Sequence, residues 1–529
     1  MANGLSPKRR AYMQQRAPIL RARLCAKLSR TDAEAFLQLL WAVGVLQSGD
    51  ADPAKPFIRY PPQAATDDFG SRFAVRAWEL EALANLSILT ERQDGAALTA
   101  CDDFQELSQF INALRDFENV ESGAYVEPGA IFEEMHRIGQ RQFYWQRDHV
   151  NRPDFYRSIF LYGQGGAAEF FQQAYGLSIG DFTKAGFALF AALAQHPTHA
   201  PMFALGELGV TQELVEATLR LMALPYDQSA DVLAQIIAAA GAGNLQAAYQ
   251  PSLLRRWPIL RFGGQGERLR APLPTLVLHR FSSGLYYDLL AAGPGVRDEV
   301  ARRFEAYCVA YIAAVLPALA TTPEYRYQRG VAGDQVDSPD ALISDGELLR
   351  VAIECKATKL TFAAQFADEP AVAAASKYDE LGKGVFQLWR YFSHCRRGLT
   401  RHVVNDDTHG LILTVDAWLV MSRGLTDHVL ANARARAEKE PGMLPEDQRP
   451  VSFAAIQDFE GFAQRTDEAG FLRTLAATRQ ERFQGWILPN VRRDLEPPLP
   501  EVKPYPFEVG DLLAWWNDLE GLEEKARAT

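Results

Sequence analysis

The chain has 529 residues, 48% of them hydrophobic and 11% aromatic, which is ample for large cores and excludes wholesale disorder. The 55 Lys and Arg against 66 Asp and Glu give a net charge of −11; eight of the basic residues and no acid fall in residues 1–30, so the remainder carries −19. A body of that sign is excluded as a general polyanion binder, and nucleic acid could reach it only through a local basic groove.

Five scattered cysteines (Cys25, Cys101, Cys308, Cys355, Cys395) and nine dispersed histidines form neither a disulfide framework nor a Cys-x-x-Cys or His-Glu-x-x-His metal motif. They suit a reducing compartment, and a cytoplasmic protein is expected. The uncharged runs 186–206 and 306–323 are interrupted by polar residues or proline. A bilayer span needs about 20 predominantly apolar residues, so both runs read as buried helices and no membrane partner is expected. The acid-free, Arg-rich start resembles a transit peptide in composition, but it has few serines and runs directly into helical sequence.

Four regions are expected: a helical domain over 1–120, a helical array with a basic joint over 121–290, an α/β domain over 291–495 and a Pro-rich acidic tail over 496–529. The fold class is therefore α+β and multidomain, mainly helical in its N-terminal part. Apolar spacing predicts helices over 33–46 and 72–89, the second followed by an Asp94-Gly95 hairpin turn. Helices followed by a hairpin resemble a winged-helix module, and an all-helical domain with one short ribbon is the preferred reading. Helices are expected again over 181–194 and 211–224, and Gly163-Gln164-Gly165-Gly166 reads as a helix entry, since it lacks the Lys-Ser/Thr of a phosphate loop. Between Ser252 and Phe281, arginines including Arg255, Arg256 and Arg261 alternate with aromatics, Gly and Pro. That segment reads as turns and short strands joining two domains, with a nucleic-acid contact surface as the alternative. The Trp515-Trp516 pair in the tail is expected to pack back on its own domain.

The stretch Asp337–Thr358 carries the chemistry. In a strand over 349–357, Leu349, Val351, Ile353 and Cys355 point one way, and Arg350, Ala352, Glu354 and Lys356 the other. Glu354 and Lys356 then share a face about 7 Å apart, a costly pair to bury without a task. A preceding strand over 339–344 makes a hairpin whose register decides whether Asp340 meets Glu354. A two-residue Asp345-Gly346 turn pairs Asp340 with Val351, on the wrong face, and sets Asp337 opposite Glu354. A three-residue turn pairs Asp340 with Ala352 and makes Asp340 and Glu354 diagonal neighbours. The odd-length turn, or a bulge with the same effect, is predicted, with Asp337 as the substitute should Asp340 face away.

Pro339-Asp340, thirteen residues, then Glu354-Cys355-Lys356 resembles the signature of the PD-(D/E)XK, or restriction-endonuclease-like, nuclease superfamily. Residues 296–316, with Phe304-Glu305, resemble the family's first core helix, and residues 376–392 its second, with Lys383, Gln387 and Arg390 on one face. Residues 410–421 supply a buried strand. The resemblance covers roughly residues 295–490 and implies a mixed central sheet flanked by helices.

It also implies a metal-dependent nuclease, with DNA the expected substrate and RNA the alternative. Asp340 and Glu354, with the Cys355 carbonyl, would bind Mg²⁺ or Mn²⁺. Lys356 would orient or deprotonate the attacking water and stabilise charge, Glu305 would aid metal binding, and Gln387 would position the site. Lys383, Arg390, Arg255, Arg256 and Arg261 are the candidate nucleic-acid contacts. Analogy with bacterial restriction or anti-phage effectors leaves room for self-association and for a protein partner supplying ATPase or sensing functions. The rivals are a nucleic-acid-binding assembly subunit with a structural nuclease-like domain, and a repair or recombination nuclease working beside a helicase.

Overall fold

The computed structural model describes residues 7–93, 98–125, 131–142, 145, 151–201, 208–241, 246–329, 334–367, 370–417, 419, 423–497 and 501–528. The protein is mostly helical, 59% helix, with a mixed five-stranded sheet in the C-terminal half, and α+β overall. It folds as two compact units: residues 1–131, 141–291 and 509–529 form the first, and residues 132–140 and 292–508 the second.

The first unit opens with α1 (Pro7–Leu28), α2 (Ala33–Leu46), α3 (Ala77–Leu89) and α4 (Phe104–Tyr125); of the next helix, α5 (Ile131–Gln142), residues 132–140 belong to the second unit. No break falls at residue 120, because α4 runs through it. The α2 helix starts where sequence places it, since the Asp32 carboxylate accepts from the Ala35 N–H at 2.8 Å and caps it. The basic start is the helix α1, which lies along α4 and buries Ala17, Leu24 and Leu28. Lys27 is 3.9 Å from Glu106 and stands over the Phe110 ring, so part of the basic excess is matched by the acids of α4. Asp94-Gly95 lies outside the described residues. The segments flanking it bond to the end of α1 (Gln93 N–H to Ser29 O, Thr99 N–H to Arg30 O), and no ribbon joins them among the described residues.

Next come α6 (Arg152–Tyr162), α7 (Gly165–Tyr175), α8 (Ile179–Gln195), α9 (Gln212–Met222), β1 (Ala223–Pro225), α10 (Tyr226–Ala239), β2 (Ile259–Phe262), β3 (Arg268–Arg270), α11 (Thr275–Arg280) and α12 (Leu285–Asp288). Strands β1, β2 and β3 form a small sheet, so the basic stretch does contain short strands. It lies inside this unit, however, and does not join two domains. No single described helix is long and apolar enough to cross a membrane; the bent pair α7–α8 passes on length and composition together. The tail divides: Trp515 and Trp516, on a final helix (Ala514–Ala528), pack against Phe155 and Phe187 of the first unit.

The second unit contains α13 (Pro294–Val315), β4 (Ala320–Pro323), β5 (Arg326–Gln328), β6 (Gln335–Asp337), β7 (Ala341–Asp345), β8 (Leu348–Lys356), α14 (Phe362–Phe366), α15 (Pro370–Ala373) and α16 (Ala375–Arg396). It continues with β9 (His409–Thr414), α17 (Arg423–Ala437), β10 (Val451–Ala455), α18 (Ile456–Ala463), α19 (Glu468–Ala477) and α20 (Leu488–Leu495). The sheet order is β10-β9-β8-β7-β4, with β10/β9 and β9/β8 parallel and the other pairs antiparallel. β8 is central, buried on both faces and almost entirely apolar up to Ile353, as a sheet covered on both sides requires. α16 covers one face, where Leu342, Ala352 and Ile412 join Leu381, Val385 and Leu388 in one core. α13 covers the other, where Cys308 meets Cys355. Its buried stripe of Val300, Phe304, Tyr307, Cys308, Tyr311, Ile312 and Val315 has helical spacing.

This unit also buries neutral histidines. Burial holds His409 of β9 down to about 3, and its Nε2 lies 2.8 Å from the Ser452 hydroxyl. Burial likewise holds His394 of α16 down to about 4. The unfolded chain protonates these rings near pH 6.5 and the folded chain does not. Their stabilising contribution is therefore complete above pH 6.5 and is lost as pH falls from there towards 4. His409 alone accounts for about 1.4 kcal/mol per pH unit in that window. Thermal melts between pH 7.5 and 4.5 should show the midpoint of the second unit falling steeply, and His409→Gln should flatten the fall.

Candidate active site

The hairpin of β7 and β8 turns through two residues, Gly346 and Glu347, between the paired Asp345 and Leu348. Gly346 has φ +61°, the left-handed conformation such a turn favours and glycine adopts without strain. The expected three-residue turn is therefore not formed. A regular ladder continued from this turn would put Asp340 opposite Ile353, on the wrong face. Instead the register shifts between Ile343 and Ser344: Ser344 pairs with Leu349, Ile343 pairs with Val351, and Arg350 is left over as a β-bulge. Beyond it Leu342 pairs with Ala352 and Ala341 with Ile353, which leads Asp340 to Glu354. The bulge thus has the face-restoring effect expected of it, and brings the two acids directly opposite rather than diagonal. It also moves Leu349 to the face of Ala352, so the expected grouping of Leu349 with Val351 is wrong.

Asp337 is not the substitute ligand. It sits on the separate β5–β6 hairpin, exposed, paired with Arg326 at 2.9 Å. Asp340 is held by the main chain, its Oδ2 accepting from the Cys355 N–H at 2.6 Å. Glu354 is 2% exposed and accepts from Lys356 Nζ at 2.8 Å. Burial and then the neighbouring Glu354 push the Asp340 carboxyl well above the usual carboxylate range, with Lys356 opposing. Burial works to lower the Lys356 ammonium, but Glu354 and Asp340 outweigh it and the net shift is upward. Lys356 is a firmly held cation at neutral pH.

Glu305 of α13 joins the same electrostatic group. Burial, followed by the charge of Glu324, pushes its carboxyl up to about 7, with Lys356 pulling the other way and Glu354 adding to the rise. Glu324, just after β4, is raised by burial and by Asp337 and Glu354, and its N–H bonds to the Asp340 carbonyl at 3.0 Å. Among the described residues no group of three or more His, Cys, Asp or Glu side chains is placed to hold a metal ion, so Asp340 and Glu354 stand as a pair. The Cys355 side chain is buried against Cys308, which with burial raises its thiol.

On α16, Lys383 is exposed, Gln387 and Arg390 are half-buried, and Arg390 lies over the Phe386 ring. The residue that meets the site directly is one the sequence reading passed over, Gly384. A Cβ there would lie 3.1 Å from Lys356 Cε and 3.3 Å from Ile412 Cδ1. Gly382 beside it allows the same close approach to Asn432 and Val429 of α17. Two glycines inside a 22-residue helix, each costing about 1 kcal/mol of propensity, were the available signal. Glu324 offered none, because only the strand register brings it near.

The arginines of the first unit behave differently from expectation. Arg255 is bidentate on the buried Glu81 (2.8 and 3.1 Å), and Arg261 pairs with Glu216 at 3.0 Å. Those two charges are committed to internal pairs. Arg256 is exposed and lies over Trp257.

A scan of protein-family models gives no match to this chain, and searches of curated proteins and of solved structures give none either.

A buried acid kept near a second acid destabilises the fold once both are ionised. Asp340→Asn keeps the acceptor for Cys355 N–H and removes the repulsion. At pH 8 with EDTA it should raise stability, read as a melting midpoint above that of the wild type.

Proposed function

We propose that the second unit is a Mg²⁺- or Mn²⁺-dependent nuclease of the restriction-endonuclease-like kind, acting on DNA, in a restriction or anti-phage setting. The observation that carries this reading is the bulge at Arg350, which puts Asp340 beside Glu354 on the face that bears Lys356. Further support comes from a mixed sheet covered by α13 and α16, with Glu305 contributed from the first of these helices.

The residues suit a divalent cation. Asp340 and Glu354 are hard oxygen donors, buried together, and Lys356 balances only one of their two charges. Asp340, Glu354 and the Cys355 carbonyl would hold the ion, which when bound supplies charge neutralisation and an acidified water. Lys356, kept protonated by its two acids, donates to and stabilises the phosphate oxygens rather than removing a proton. Glu305, pushed up to about 7, is the group able to take up or give a proton near neutral pH. Gly384 leaves the space in which Lys356 extends, and Gln387, one turn on, lies on the helix that backs it.

The assembly reading has one observation in its favour: the Glu354–Lys356 pair is satisfied without any ligand. Purified protein incubated with plasmid, linear DNA and RNA, in Mg²⁺ or EDTA, separates the two. Mg²⁺-dependent cleavage of DNA, lost in Asp340→Ala and Lys356→Ala, is the expected result. Cleavage that survives both substitutions would sink the site, and no cleavage of any substrate would favour the assembly role.

A further inference from the structure

The first unit has a polar concavity of about 420 Å³, within the size range of small-molecule sites. Arg72, Arg76, Arg115 and Arg141 line it, against only Glu79 and Glu118. In a chain of net charge −11, this concavity carries a local excess of two positive charges, four Arg against two Glu.

The two glutamates are already used. Arg115 is bidentate on Glu79 (2.6 and 2.8 Å), and Glu79 also accepts the Arg76 N–H at 2.8 Å, closing the first turn of α3. Arg141 is bidentate on Glu118 (3.0 and 2.6 Å). These pairs make a firm wall, because fork-to-carboxylate geometry is directional. Arg72 and Arg76 have no carboxylate partner among the described residues. Aromatic faces hold them instead, Arg72 over Phe73 at 4.8 Å and Arg76 over Phe69 at 4.6 Å, and Arg76 also donates to the Phe69 carbonyl. Stacked guanidiniums with free N–H groups are pre-placed for phosphate oxygens. Asn119 and Gln142 add two amides to the lining, while Trp78 is almost wholly buried behind it. Amides that both donate and accept match the polar edge of a heterocyclic base, which an inorganic anion would leave unused.

We propose that this concavity binds a nucleoside polyphosphate, with its phosphates on Arg72 and Arg76 and the polar edge of its base against Asn119 and Gln142. The site belongs to the helical unit and does not depend on the carboxylate pair of the second unit.

Calorimetric titration of the full chain, in EDTA, with ATP and separately with tripolyphosphate is the test. ATP should bind saturably at one site and at least tenfold more tightly than tripolyphosphate. Arg72→Gln/Arg76→Gln should weaken ATP at least tenfold with an unchanged melting temperature. Arg23→Gln/Arg220→Gln, which removes the same charge from exposed positions elsewhere in this unit, should leave binding as it was. No saturable ATP binding, undiminished binding by the Arg72/Arg76 variant, or an equal loss in the control variant would overturn the site. Equal affinity for tripolyphosphate would overturn the nucleoside assignment.

Discussion

Two carboxylates buried side by side with a single lysine between them and neutrality is the constraint around which the second unit is arranged. Asp340 and Glu354 cannot both ionise there without compensation, and Lys356 balances only one of them. The remaining groups nearby add to the imbalance, since Glu305 and Glu324 are acids held up by burial and by each other's neighbours. A structure that gathers acids at the buried end of a sheet loses stability by doing so, and such losses cluster where chemistry is done.

The rest of the unit keeps that group in place. Apart from the bulged Arg350, the central strand β8 is apolar up to Ile353 and polar at its end, so the clustered charges emerge where the sheet stops. The bulge at Arg350 supplies the one-residue correction without which Asp340 would face α13. Gly384 removes the Cβ that would crowd Lys356, and Gly382 lets α17 close over the same helix. Three local departures from regular structure, a bulge and two helix glycines, thus serve one arrangement.

Much of this was legible in the sequence. The Glu354–Lys356 spacing, the apolar run before it and the helices on either side follow from period-2 and period-3.6 patterns, which are strong over long elements. The register was open, because the choice among turns rests on one or two residues, and a bulge leaves no compositional mark of its own. Arg255 and Arg261, candidate contacts under the alternative reading of the Ser252–Phe281 stretch, are held in internal ion pairs. Clustered basic residues look like a contact surface until their partners are known, and Glu81 and Glu216 lie 174 and 45 positions away from Arg255 and Arg261 in the chain. Ion pairs across such separations have no sequence signature.

The claim that Asp340 and Glu354 form a cation site is tested most directly by Mn²⁺ binding followed by electron paramagnetic resonance. Wild-type protein and Asp337→Asn should bind the ion alike, and Asp340→Asn and Glu354→Gln should lose it. Equal binding by Asp340→Asn and wild type would contradict the assignment.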